Sequence, residues 1–296
     1  MRVGFIGLGA MGRPMALHLL RAGHALSVCA RRAESAQPLV DAGATRRASP
    51  VEVAANSDVV FTMVTTGADV EDVALGEGGI IHGARPGTVL VDMGTIPPGT
   101  ARHIAAKLGE RGIEMLDAPV SGGEQGAINA TLAIMAGGKS EVLERVRPLL
   151  EKLGKTIVHI GPSGAGQVAK ACNQMIMVSC IEAVAEALLL AEKADVDPAR
   201  VRQALSGGSA ASRVLEFFGT KMAARDFKAG VEARLHHKDF GILMNEAAAL
   251  GAPLPVAAQV WQQLNALMAQ GWGREDTSSL LRVLEGESLA TAPGIA

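Results

Sequence analysis

The chain contains no tyrosine and few other aromatics: two tryptophans and six phenylalanines in 296 residues, a share of 3%. That leaves little with which to build a surface that stacks on nucleobases. The formal net charge is −2, so the composition also lacks the basic excess of a nucleic-acid-binding face. Three cysteines, Cys29, Cys172 and Cys180, are too few and too scattered for a disulfide framework or a zinc cluster, and they fit a reducing cytoplasm. No metal is expected. His236 and His237 are adjacent, and adjacent residues of a helix do not face the same way. The opening Met1-Arg2-Val3-Gly4-Phe5-Ile6-Gly7 lacks the basic start, apolar core and cleavage site of a signal peptide, so no leader is expected. No uncharged run reads as apolar enough to span a membrane, because even the one around Lys170 contains Asn, Gln and Ser. Internal repeats and low-complexity segments are absent too, and Asn129-Ala130-Thr131 is a glycosylation sequon by letter only.

What is present is an ordinary globular composition, 48% hydrophobic and 20% charged, at a length that suits about two domains. Residues 2–6 read as a short buried strand, and Gly7-Leu8-Gly9-Ala10-Met11-Gly12 follows at once, with Met11, Met15, Leu19 and Leu20 at helical spacing beyond. A G-x-G-x-x-G between a strand and a helix is a dinucleotide-binding turn. Gly7 permits the bend, Gly9 lets a pyrophosphate approach the backbone, and Gly12 allows helix and strand to pack closely. The second strand, 25–29, is followed by Ala30-Arg31-Arg32 rather than by the acid that would hold the ribose of NAD. Two guanidiniums suit a 2′-phosphate, favouring NADP(H) with NAD(H) still possible; as solvated loop residues they would leave either cofactor open. Further strands are expected at 58–64, 88–93, 113–116, 131–136 and 156–160, with helices at 98–111 and 140–153 between them. From 193 onward the pattern is helical without strands: one helix begins at Asp197-Pro198, and others cover 231–250, 256–269 and 277–284. The expectation is therefore an α/β chain. A Rossmann-type doubly wound sheet over 1–162 precedes an all-α C-terminal domain over 163–296, and a long interdomain helix at 163–193 joins them.

The stretch 156–181 carries a single formally charged side chain, Lys170. After Ser163, a possible cap, it is apolar all round like a helix packed on several sides. A lone lysine there is a candidate for proton transfer, or else its stem lies on apolar surface while its head reaches water. Asn173 and Gln174, at i+3 and i+4, share its face and can position a polar ligand beside it. At the carboxyl ends of the strands, Ser121-Gly122-Gly123 offers a hydroxyl and unobstructed backbone N–H groups suited to a carboxylate; the alternative is a plain flexible turn.

Four stretches together carry a resemblance: Gly7 to Ala16, Asp117-Ala118-Pro119-Val120-Ser121-Gly122-Gly123, Gly166 to Gln174, and His237-Lys238-Asp239. In this order they resemble the signatures of the β-hydroxyacid dehydrogenase family, of the 3-hydroxyisobutyrate dehydrogenase type, over nearly the whole chain. The resemblance implies an NAD(P)-dependent oxidoreductase that interconverts a small 3-oxo acid, a semialdehyde, and its 3-hydroxy acid. It makes Lys170 the catalytic lysine. Ser121, Gly122, Gly123, Asn173 and Gln174 become substrate contacts. The cofactor contacts are Gly7, Leu8, Gly9, Ala10, Met11, Gly12, Arg31, Arg32, Met63, Val64, Thr65, Thr95 and Lys238. The expected partners are the carboxylate-bearing substrate and further copies of the chain in a homodimer or homotetramer, with no nucleic acid and no membrane. Glu124 after the Ser-Gly-Gly, and the stretch Gly208 to Glu216, narrow the resemblance to one group of reductases. Departures from the family pattern are Gly94 for the usual Ser, Thr65-Thr66 for Pro-Asn, and Ala30 where many members have Asp. A non-catalytic dinucleotide-binding module and an imine reductase are the competing classes, and the presence of Lys170 separates this chain from both.

Overall fold

The computed structural model describes residues 1–287; positions 288–296 of the expected helical domain lie outside the described residues. The chain divides into two compact units, Met1–Lys170 and Ala171 onward.

The first unit is built on a sheet of nine strands among the described residues: β1 (Arg2–Ile6), β2 (Ala25–Cys29), β3 (Thr45–Arg46), β4 (Val59–Thr62), β5 (Val89–Asp92), β6 (Glu114–Asp117), β7 (Val120–Ser121), β8 (Leu132–Gly137) and β9 (Gly154–Gly161). The order is β3-β2-β1-β4-β5-β6-β8, with β7 and β9 also paired to β8. Runs such as Val59-Val60-Phe61 and Val89-Leu90-Val91 are apolar without alternation because both faces of the sheet are covered. Val59, Phe61, Val89 and Val91 enter one core with Met15, Leu19 and Leu143. Val60 and Leu90 enter the opposite core with Val53, Ile104 and Leu108. That is the doubly wound arrangement the alternation of elements predicts, and each fully buried side chain of this kind contributes roughly 1.5–3 kcal/mol. Two features differ from the sequence reading. The two-residue strands β3 and β7 are too short to show a periodicity, and β8 runs antiparallel to β6 and β7 but parallel to β9.

The second unit is helical. Helices Pro198–Leu205, Ala233–Leu250 and Pro255–Ala269 lie within a residue or two of their expected bounds, and 277–284 opens as a 3-10 turn, Thr277–Ser279, before Leu280–Leu284. A further helix, Arg213–Ala223, starts where the Ser212 hydroxyl accepts a bond from the Leu215 N–H at 3.0 Å.

Ala165–Lys193 is a single helix of 29 residues. By length and composition it is apolar enough to cross a bilayer, although it is not an uncharged run, since Lys170 and Glu182 interrupt it. Its apolarity has another use here: Val178, Ile181, Ala185 and Leu188 lie in the core of the second unit.

Candidate active site

Parallel register sets Cys29, Ile6, Thr62, Asp92 and Asp117 in one row across β2, β1, β4, β5 and β6. The segments that follow leave the sheet along its carboxyl edge, where doubly wound folds bind ligands. This brings together Arg31 and Arg32, the Gly7–Gly12 turn, Met63 to Thr65, Thr95, and the loop from Asp117 to Gly123.

The glycine turn has the shape of a phosphate cradle. Gly7 sits at φ +95°, and a Cβ on Gly12 would lie 2.0 Å from the Gly7 carbonyl oxygen, so only glycine permits this approach of helix to strand. Gly9 has open space, with nothing within 4 Å of where its Cβ would be. The helix that starts here, Gly12–Arg21, has no side-chain cap. Its N-terminal amides suit an anion, and a dinucleotide pyrophosphate fits.

Arg31 and Arg32 are exposed. The Arg31 guanidinium is 87% exposed and lies 3.6 Å from the Asp69 carboxylate, a loose surface pair that holds it only weakly. Thr66, one of the family departures, caps the helix Gly67–Leu75: its hydroxyl accepts from the Asp69 N–H at 3.1 Å, and Asp69 accepts from the Thr66 N–H at 3.0 Å. Threonine thus performs the capping an asparagine would. At the second departure, a Cβ on Gly94 would meet the Val64 carbonyl oxygen at 3.0 Å, so the glycine lets the two loops lie close.

Ser121 is half-buried at the end of β7, opposite Ala133. Gly122 and Gly123 follow at φ +135° and +61°. Lys170 is 7% exposed, so it does not snorkel to water. The helix that carries it is anchored from the sheet. The Asp117 carboxylate, 1% exposed, accepts from the Gly164 N–H at 2.7 Å and the Gln167 N–H at 3.0 Å. The cap expected of Ser163 therefore comes from β6. Burial pushes the Asp117 carboxyl above its ordinary pKa, against the opposing pull of the Gly164, Gln167 and Gly166 amides. Gly166 makes the approach possible, since a Cβ there would lie 2.4 Å from the Met135 carbonyl oxygen and 2.5 Å from that of Asp117. Gln167, also 1% exposed, accepts from the Ile96 N–H at 3.1 Å and donates to the Gly94 carbonyl at 2.9 Å.

The remaining site candidates belong to the second unit. There Asn173 donates to the Gln174 side-chain oxygen at 2.8 Å, Gln174 donates to the Asp239 carboxylate at 2.5 Å, and the Lys238 ammonium lies 3.1 Å from the same carboxylate. Asp239 thus organises two expected contact residues.

Asp117, Gln167 and Asp239 were not among the residues expected to form the site. Their partners are backbone groups or side chains 47 to 73 positions away, which spacing alone does not reveal. Signals were available: Gln167 precedes Lys170 by three residues and so shares its helix face, and all three lie within the stretches that carry the family resemblance.

Residues 2–161 match the family model described as the NAD binding domain of 6-phosphogluconate dehydrogenase. Residues 164–284 match that of the NAD-binding domain of NADP-dependent 3-hydroxyisobutyrate dehydrogenase. The chain belongs to the 3-hydroxyisobutyrate dehydrogenase family. It is 45% identical to the 2-hydroxy-3-oxopropionate reductase of Escherichia coli K12 over 285 residues, covering 96% of this chain and 97% of the relative. It is 37% identical to an NAD-dependent L-serine dehydrogenase of Pseudomonas aeruginosa, covering 96% and 98%. Among solved structures it resembles the 3-hydroxyisobutyrate dehydrogenase of Mycobacterium tuberculosis with L-serine, with a TM-score of 0.87 and 35% identity over 96% of this chain and 99% of that one. As a family member the chain is an NAD(P)-dependent oxidoreductase of β-hydroxy acids.

Proposed function

We propose that this enzyme reduces 2-hydroxy-3-oxopropionate, tartronate semialdehyde, to glycerate, and that it prefers NADPH to NADH. The observation that carries the reading is a buried Lys170 on a helix anchored to the end of β6 and the segment after β5, on the same carboxyl edge of the sheet as the glycine turn. The choice of substrate is supported by the name of the E. coli relative and by Glu124 and the Gly208 to Glu216 stretch.

Bound along the glycine turn, the dinucleotide supplies the hydride that the aldehyde carbon accepts. Lys170 faces the negative charge that develops on the carbonyl oxygen and donates the proton; in the reverse direction it accepts that proton. The Ser121 hydroxyl and the Gly122 and Gly123 amides anchor the substrate carboxylate, which sets the aldehyde carbon in place. Asn173 and Lys238 keep the substrate and cofactor roles that the family resemblance implies. Arg31 and Arg32, both exposed and Arg31 only loosely paired, take the 2′-phosphate. Exposed apolar side chains on the long helix, Ile176 and Leu190 at 68% and 72%, support a homo-oligomer, and the three scattered cysteines support a cytoplasmic setting.

The test is a panel of tartronate semialdehyde, methylmalonate semialdehyde, succinic semialdehyde and glyoxylate with each cofactor. The highest kcat/KM is expected for tartronate semialdehyde with NADPH. A clear preference for NADH would remove the phosphate role of the arginines, and a better second substrate would replace the first.

A further inference from the structure

We propose that Gln167 is a positioning residue for the reaction: its side chain locks the loop around Thr95 to the helix turn that precedes Lys170. The inference rests on the reading of Lys170 as proton donor and of Thr95 as a dinucleotide contact.

Both ends of the buried amide are used. Its oxygen takes the Ile96 N–H and its nitrogen gives to the Gly94 carbonyl, so the two bonds bracket Thr95. Its own backbone N–H is held by Asp117. One residue therefore ties the segment after β5 and the end of β6 to a single helical turn, and Lys170 follows about 4.5 Å further along the axis. The primary amide donates and accepts at once here whatever the pH; leucine does neither, and a glutamate does so only when protonated, since the ionised form only accepts. A displacement of about 1 Å between reacting groups costs on the order of 10²-fold in rate, so a link of this kind acts on turnover and not only on folding.

Two variants of the full chain test the proposal, with Lys170→Met measured beside them. Gln167→Leu is expected to lower kcat by roughly 10–100-fold and leave the KM for the aldehyde acid within about threefold. It should enlarge the isotope effect with 4-deuterated NADPH and speed amide hydrogen exchange at Ile96. In Gln167→Glu the protonated carboxyl copies the amide, donating to Gly94 and accepting from Ile96. Burial beside Asp117 raises its pKa, with the Lys170 ammonium one turn along the same face pulling the other way, so activity should lie nearer that of the parent at pH 5.5 than above pH 8, while circular dichroism shows the variant folded throughout. Parent-like kcat and isotope effect in Gln167→Leu, or a Gln167→Glu profile parallel to the parent, would overturn the proposal. If Gln167→Leu does not fold, the Gln167→Glu profile decides alone. Should Lys170→Met keep its rate, the proton-donor reading fails separately, and Ile96 exchange with NADPH affinity still judges the link to the loop.

Discussion

Glu182 is buried in the second unit at 5% exposure, and neither carboxylate oxygen has a hydrogen-bond partner among the described residues. Burial, reinforced by the nearby Glu186 charge, pushes its pKa from 4.5 up to about 7. Below 4.5 the group is protonated whether folded or unfolded, and its titration does not change the stability. Between 4.5 and about 7 the unfolded chain gives up the proton first, so stability falls as pH rises, by about 3 kcal/mol once both states are ionised. Glu182→Gln should therefore raise the melting temperature by several degrees at pH 8 and hardly at all at pH 4.5; an equal shift at both pH values would show that the carboxyl is not the cause. At this scale the sequence was informative where one residue stands out from its neighbours, as Lys170 does in an uncharged run. It did not reveal what Asp117 and Gln167 hold, because a carboxylate that caps a helix 47 residues away leaves no local trace.

Among the elements, the strands were legible from their apolar runs, and the glycine turn from its place between strand and helix. The short strands β3 and β7 were not, since two residues carry no period. The first turn of the lysine helix and the glycine turn show that one substitution has opposite effects in different places. Gly166→Ala puts a methyl 2.4 Å from a carbonyl oxygen. It should lower stability by about 1–3 kcal/mol and reduce kcat as the helix shifts. Gly9→Ala fills open space, so it should leave the melting temperature unchanged while weakening dinucleotide affinity. Thermal melts and NADPH titrations of the two variants check this; a destabilised Gly9→Ala or an unaffected Gly166→Ala would contradict the packing described.

For the whole molecule, a Rossmann-type unit followed by a helical one could be read from the alternation of elements and its loss after 193. The choice among small aldehyde acids could not, since it turns on a hydroxyl against a methyl in a pocket that no spacing describes. The central claim is that the single charge in stretch 156–181 is there for proton transfer, and Lys170→Met tests it most directly because the stem stays and only the ammonium goes. Turnover, melting temperature and NADPH affinity should be measured on this one protein. The account predicts a fold at least as stable as the parent, NADPH affinity nearly unchanged, and a kcat lower by about 10²–10⁴-fold or more. A variant that keeps more than about a tenth of the parent rate, a loss far below that of a missing general acid, would contradict it.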